Sequence, residues 1–194
     1  MSNSIRQQIV ISGVGGQGVL FITRLLAEAA IAKGLRVFTS ETHGMAQRGG
    51  TVLSHLKVGE YFSPLIRPRS ADGLLALKSE NLVQHGPFLN DRGWAAANAG
   101  NHDNPIDENT FRAPFFYSVN ADELAGEVGT PRSVNLVLLG FALARLSGDF
   151  EAEPSLFCSA DDIRTVLDDR LGSKPDMLKA ALLAFDTGVG AAQQ

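Results

Sequence analysis

Ile9-Val10-Ile11-Ser12-Gly13-Val14-Gly15-Gly16-Gln17-Gly18 is the stretch on which the fold turns. Its first three residues are apolar and β-branched, as in a strand buried on both faces. A glycine-rich turn follows without a break. Val19 to Lys33 then places Leu20, Thr23, Ala27, Ala30 and Ile31 at helical spacing, and Gly34 is a fitting stop. Leu35 to Thr39 reads as a second strand. Residues 5–39 therefore read as one strand–helix–strand unit, and the chain as an α/β protein.

Outward from that unit, Ser40 to Gly50 is polar and glycine-rich and reads as a loop. Thr51 to Val58 reads as a strand, Gly59-Glu60 as a turn, and Tyr61-Phe62 as a short returning partner. A parallel start followed by a hairpin predicts a mixed, Rossmann-like sheet in a three-layer α/β/α domain spanning residues 1–194. Asp72 precedes the apolar run Gly73 to Leu77, and Ser79 is a candidate cap for a short helix to His85. Trp94 to Asn98 and Phe115 to Asn120 are further strand candidates, separated by an aperiodic surface excursion from Asn101 to Pro114. Val134 to Leu146 is apolar nearly all round and predicts a buried helix. Ser159 and Asp162 have capping-box spacing for a helix to Leu171. A last helix starts near Pro175 and runs through Phe185, with Gly188 after it and a frayed Ala-Ala-Gln-Gln end.

Composition excludes several function classes. The 194 residues are 44% hydrophobic and 20% charged, suited to one domain with a sizeable core. A net charge of -4 argues against a broad nucleic-acid footprint. One cysteine, Cys158, can hold neither an iron–sulfur cluster nor an internal disulfide, and a reducing, cytoplasmic setting fits. No apolar run approaches the roughly 18 residues of a membrane span.

Two constellations carry candidate chemistry. Gly13, Gly15 and Gly18 satisfy G-x-G-x-x-G, with Gly16 and Gln17 between them. The pattern fits a tight βα turn that needs glycine, an anion or cofactor-phosphate cradle at a helix start, or a dinucleotide site with Glu41 as the acidic partner. The second constellation concentrates Glu41, His43, Gln47 and Arg48 in ten residues, with Gly49 and Gly50 closing it. Arg48 is either a fork for a carboxylate or phosphate, or the partner of Glu41 in an ion pair that pins the loop.

The remaining signals are bland. His43, His55, His85 and His102 lack metal-ligand spacing. Ser12, Ser40 and Ser54 lie in no nucleophile elbow. Arg67-Pro-Arg69 and the pairs Asp161-Asp162 and Asp168-Asp169 read as solvated surface. A stand-alone nicotinamide enzyme would need an acid/base group and a substrate pocket, and the sequence offers no convincing set. A pure assembly module is the other alternative.

Together, Gly13 to Val19 and Ser40-Glu-Thr-His-Gly-Met-Ala-Gln-Arg-Gly-Gly50 resemble the gamma-type subunit of 2-oxoacid:ferredoxin oxidoreductases. Thr51 to His55 and Tyr61 to Ile66 are similar to its indolepyruvate branch. Asp72, Asn135, Ala184-Phe185 and Gly188 also fit, while Ala181 stands where that family often has asparagine. The resemblance implies a holoenzyme that oxidatively decarboxylates a 2-oxoacid, passes electrons to ferredoxin and makes an acyl-CoA. It implies that this chain binds no redox cofactor, and that a large partner subunit carries thiamine diphosphate and iron–sulfur clusters. The thiamine signature is absent here, since Gly148-Asp149 is followed by Phe150. CoA contact or a subunit interface is then expected at Gly13, Gly15, Gly16, Gln17, Gly18, Glu41, His43, Gln47, Arg48 and Gly49. An isolated chain is expected to be inactive and to self-associate through the helix from Val134 and the hairpin from Thr51. No nucleic-acid or membrane partner is expected.

Overall fold

The computed structural model describes residues 5–43, 50–99, 113–147 and 154–193. Six strands form one mixed sheet: β1 (Gln7–Val14), β2 (Val37–His43), β3 (Thr51–Val58), β4 (Ala71–Ala76), β5 (Leu89–Asn98) and β6 (Phe115–Val119). Their spatial order is β2-β3-β1-β4-β5-β6. β1, β4, β5 and β6 run parallel to one another, whereas β3 runs antiparallel to both β1 and β2.

The opening unit is therefore modified. Helix α1 (Val19–Ala32) does cross from β1 to a strand of the same direction, but β3 is inserted between the two. Three sequence expectations are corrected here. β2 continues through Ser40, Glu41 and Thr42 to His43, where a loop was expected. Those residues are polar because β2 is an edge strand with little to cover it. Tyr61 and Phe62 form no strand, because both edges of β3 are already taken by β1 and β2, and Phe62 is 96% exposed. On α1 the buried side is Ile22, Leu25, Leu26, Ala29 and Ala30, whereas Ile31 faces outward.

The other helices are α2 (Glu80–His85), α3 (Ala121–Glu127), α4 (Val134–Arg145), α5 (Ala160–Leu171) and α6 (Pro175–Ala191). The three layers are unequal. One face of the sheet, presenting Ile9, Ile11, Leu56, Leu75 and Trp94, is covered by α1 and α3 to α6 in one continuous core. The opposite face, presenting Val10, Leu74, Ala76, Ala95 and Ala97, is covered thinly by Ile66, α2 and Phe88.

Local chemistry explains most of these elements. Ser159 accepts from the Asp162 amide while Asp162 accepts from the Ser159 amide, so the expected capping box starts α5. α3 was not anticipated, although Asn120 Oδ1 accepts from the Glu123 amide at 3.2 Å and caps it. Ser79 precedes α2 without a side-chain capping bond. α4 is buried from Asn135 through Leu143. It is therefore interior, as is most of β3, so of the two stretches through which self-association was expected, the exposed apolar side chain is that of Phe62 beyond β3.

α6 passes through Gly188 and reaches Ala191, six residues beyond Phe185, where the sequence suggested a stop. A Cβ on Gly188 would sit 1.9 Å from the Val137 carbonyl oxygen, and one on Gly140 would sit 2.1 Å from that of Phe185. These glycines let α4 and α6 touch backbone to backbone. At the other end of the sheet, Gln7 clasps the chain before α5: its Nε2 donates to Ser155 O at 2.6 Å and its Oε1 accepts from Phe157 N at 2.8 Å.

Candidate functional site at the carboxyl edge of the sheet

In α/β sheets ligands gather outside the carboxyl ends of the parallel strands, where backbone donors and helix starts converge. Here β1, β4, β5 and β6 all end at one edge, so the turns after Val14, Ala76, Asn98 and Val119 share it.

The first glycine loop is built largely by its own side chain. Gln17 Oε1 accepts from Val14 N at 2.8 Å, and Gln17 Nε2 donates to Leu77 O at 3.4 Å. Gly13 lies inside β1, where a Cβ would press on Gln17, Val19 and Leu77 at 2.9 to 3.1 Å. Gly15 N donates to Gly50 O at 3.1 Å, which joins the two glycine-rich stretches. Gly16 and Gly18 have φ of +94° and +81°, a region that side chains rarely adopt. No atom lies within 4 Å of where a Gly16 Cβ would be, so its backbone is open.

Gly18 is the N-cap of α1 and is wedged against α4: its Cβ would fall 2.2 Å from Asn135 Nδ2. Gly16, Gln17, Leu77, Asp122, Arg132 and Asn135 are among the residues around a cleft of about 380 Å3. Arg132 is exposed. Asp122 is held by Asn98, whose Nδ2 donates to Asp122 Oδ2 at 2.7 Å while its Oδ1 accepts from Ala121 N at 3.0 Å.

The second constellation is only partly brought in. Glu41 is exposed in β2, opposite Ser54 of β3, and His43 is the last residue of β2, opposite Val52. Gln47, Arg48 and Gly49 lie outside the described residues, so neither the anion fork nor the Glu41 pair can be placed. A dinucleotide reading needs an acidic residue on a strand beside β1. Glu41 is two strands away, about 10 Å in sheet spacing, because β3 intervenes. The topology removes it from a ribose-binding position.

Behind β1, on the thin face, Ser12 Oγ and His85 Nδ1 share a 2.8 Å hydrogen bond. Burial lowers the His85 pKa, and the neighbouring His55 lowers it further. His55 is lowered by burial and by Lys57. Ser12 is fully buried, so this pair braces the core and reaches no substrate. Burial also pushes the Cys158 thiol up to about 12, which disfavours a thiolate ligand. Among the described residues no cluster of three or more His, Cys, Asp or Glu could hold a metal ion, and no helix is long and apolar enough to cross a membrane.

A family model described as pyruvate ferredoxin/flavodoxin oxidoreductase matches residues 8–191. The chain belongs to this family. It is an oxidoreductase subunit of the 2-oxoacid:ferredoxin class, as the resemblance implied. Indolepyruvate oxidoreductase subunit IorB of Archaeoglobus fulgidus is 36% identical over 164 residues, 77% of this chain and 82% of that protein. IorB of Methanothermobacter thermautotrophicus is 31% identical over 201 residues, covering 96% and 97%.

Solved structures of the family share the fold. The 2-oxoglutarate:ferredoxin oxidoreductase from Magnetococcus marinus, with 2-oxoglutarate, coenzyme A and succinyl-CoA bound, aligns with a TM-score of 0.78 and 25% identity. The alignment covers 97% of this chain and 31% of that one, so this chain spans under a third of its length. The keto/oxoacid ferredoxin oxidoreductase gamma subunit from Geobacter sulfurreducens aligns with a TM-score of 0.68 and 22% identity, covering 96% and 98%.

Arg132 and the Asn98–Asp122 pair were not among the candidates read from sequence, and Asn135 entered only through the resemblance. A signal did exist for Asn135: it is an amide within an otherwise apolar helix.

Proposed function

We propose that this chain is the small subunit of an indolepyruvate-type (aryl-pyruvate) 2-oxoacid:ferredoxin oxidoreductase in the cytoplasm, and that the carboxyl edge of its sheet faces CoA beside a large partner subunit. In such a complex, thiamine diphosphate on the large subunit supplies decarboxylation and iron–sulfur clusters carry the electrons to ferredoxin. This chain contributes position and binding rather than redox chemistry. Its single cysteine supports that division of labour.

The observation that carries the reading is the convergence of Gly15, Gly16 and Gly18 with Gly50 at one edge, in a chain 31% identical over 96% of its length to an IorB subunit. The open Gly16 backbone and the cleft beside it suit a phosphorylated ligand. A volume near 380 Å3 lies in the range of small-molecule sites, about 300–1,000 Å3. CoA bound in the Magnetococcus marinus enzyme is consistent with this assignment.

The test is reconstitution. The chain is prepared alone and with a large thiamine diphosphate and iron–sulfur subunit, and CoA-dependent reduction of ferredoxin by indolepyruvate is recorded. Activity is expected only from the pair, with indolepyruvate preferred over pyruvate and 2-oxoisovalerate. Iron at stoichiometric level in the isolated chain, or turnover by that chain alone, would refute the proposal.

A further inference from the structure

We infer that the thin face of the sheet docks an acidic, partly apolar face of the large partner subunit, through the strap of residues 59–70 that joins β3 to β4 and through the adjoining α2. The inference rests on the proposed function for the existence of that subunit and adds where it binds.

The strap is an anchored platform. Gly59 N donates to Arg36 O at 2.8 Å, Ile66 N to His55 Nδ1 at 3.3 Å, Arg69 N to Pro87 O at 3.0 Å and Ser70 N to Phe88 O at 2.9 Å. Ile66 is buried against the sheet, and Pro64 and Pro68 restrict the backbone between the anchors. Gly59 has φ +104°, and a Cβ there would fall 2.1 Å from Ile5 O. Glycine therefore lets the strap press on the segment before β1.

This platform displays apolar side chains. Phe62 is 96% exposed, and Leu65 of the strap and Val83 of α2 are each 53% exposed. Single exposed apolar residues are ordinary. These three share the thin layer of the fold, and an open cleft of about 650 Å3 runs from the strap to α2, with Pro68, Leu82, Val83 and Pro87 in its walls. An anchored strap that already holds an aromatic side chain outward loses little entropy when a partner covers it.

The same platform carries unmatched positive charge. The Arg6 guanidinium carbon lies 4.6 Å, and the Lys57 ammonium 5.1 Å, from the ring centroid of Tyr61. The Lys57 pKa is lowered by burial and further by the charge of Arg67. Elsewhere exposed cations are matched: Arg36 by Glu60, Arg69 by Asp91, Arg164 by Asp186 and Arg170 by Glu28. Arg6, Lys57 and Arg67 have no carboxylate at ion-pair distance among the described residues. The acids beside them are engaged, Glu60 by Arg36 and Asp72 by Gln8 N and Asn90 Nδ2, all at 2.8 Å. In a chain of net charge -4, this local cluster of cations is complementary to carboxylates on another surface.

A protein partner fits this combination. Arginine and aromatic side chains exposed together have the composition of a protein interface. In the Magnetococcus marinus enzyme the matching region is 31% of one polypeptide, whereas IorB of Methanothermobacter thermautotrophicus is matched over 97% of its length. A subunit of that size meets the rest of its assembly across a surface rather than along a continuous chain.

The experiment measures binding of the full chain to a large thiamine diphosphate and iron–sulfur subunit by biolayer interferometry, at low and high salt. Phe62→Ala and Arg67→Glu alter exposed side chains of the strap. Met177→Ala and Lys179→Glu alter exposed side chains of α6, on the opposite face, as matched controls. Phe62→Ala and Arg67→Glu should each weaken binding about tenfold or more. The controls should change it by less than about twofold. Wild-type affinity should fall with salt, and more steeply than that of Arg67→Gln. Melting curves confirm that each variant is folded.

A complex that forms equally well with Phe62→Ala and Arg67→Glu would overturn the docking face and spare the proposed function. Docking that responds to both substitutions, in a pair that does not turn over indolepyruvate, would sink the proposed function while the docking face stood. No binding by the wild-type chain would overturn both. With large-subunit binding unchanged by either substitution, two further results would reassign the face and overturn the proposal. One is a dimer of this chain, seen by light scattering, that Phe62→Ala dissolves. The other is co-sedimentation with vesicles of equimolar phosphatidylcholine and phosphatidylserine that Arg67→Glu abolishes.

Discussion

The backbone N–H of Gly15 donates to the carbonyl of Gly50 at 3.1 Å, so the turn after β1 and the approach to β3 are tied together. The tie has a direct readout. The Gly15 amide should exchange with solvent more slowly than other amides of its turn, despite lying outside any helix or strand. Hydrogen exchange resolved by NMR measures this. Exchange at the rate of an open loop would contradict the bond.

Gln17 should be worth more to stability than an ordinary loop residue. Gln17→Ala removes the side-chain acceptor for Val14 N and one of two donors to Leu77 O, which keeps only a long 3.5 Å bond from Asn98 Nδ2. The expected loss is about 1–2 kcal/mol in urea unfolding. A change within experimental error would show that water replaces both bonds.

Two glycines of α6 should respond oppositely to alanine. Gly188→Ala places a methyl 1.9 Å from the Val137 carbonyl oxygen, where only backbone can yield, and should cost about 3 kcal/mol. Gly190 has no atom within 4 Å of the same position. Gly190→Ala should be neutral or stabilise by up to about 1 kcal/mol. Denaturation midpoints of the two variants, measured side by side, decide it.

Stability should fall on mild acidification. His85 and His55 have pKa values lowered by burial, so the folded state resists the protons that the unfolded chain accepts. Their contribution is complete above the unfolded value near 6.5 and declines as pH drops below it toward the folded values. Asp72, raised by burial, acts with the opposite sign at lower pH. The histidine part is therefore read as the difference between wild type and His85→Asn across the range below about pH 6.5. Parallel curves for the two proteins would remove His85 as the cause.

Cys158 should stay silent to alkylating reagents at pH 8 in the folded chain. It is buried, and its thiol is pushed up to about 12. Labelling should appear only with denaturant, at the rate of unfolding. Rapid modification of the native protein, followed by mass spectrometry, would disprove this.

Much of the architecture was legible because it is written locally. The run from Ile9 to Gly18 announces a buried strand and a tight turn, and Ser159 and Asp162 announce their own cap. What was hidden depends on partners. Nothing within Thr51 to Val58 says that it will pair with β1 on one side and β2 on the other. Ser40 to His43 is as polar as a loop because an edge strand has little to bury. Gly188 reads as a stop because its reason for being glycine lies in α4, some fifty residues earlier. At the candidate site, the glycine loop was visible as a motif, whereas Arg132 has no local pattern and gains meaning only where α4 meets α1.

The clasp at Gln7 has a consequence for biosynthesis. β1 is central, yet its neighbours β3 and β4 come later in the chain, and Gln7 completes its hydrogen bonds only with Ser155 and Phe157. A nascent chain leaving the ribosome cannot close this clasp until about four-fifths of it has been made. Long-range pairings of this kind slow folding, because loop closure precedes the contacts that reward it. Strands β3 and β4 can fill both edges of β1 once residue 76 has been made, yet the start of β1 stays unclasped through most of translation.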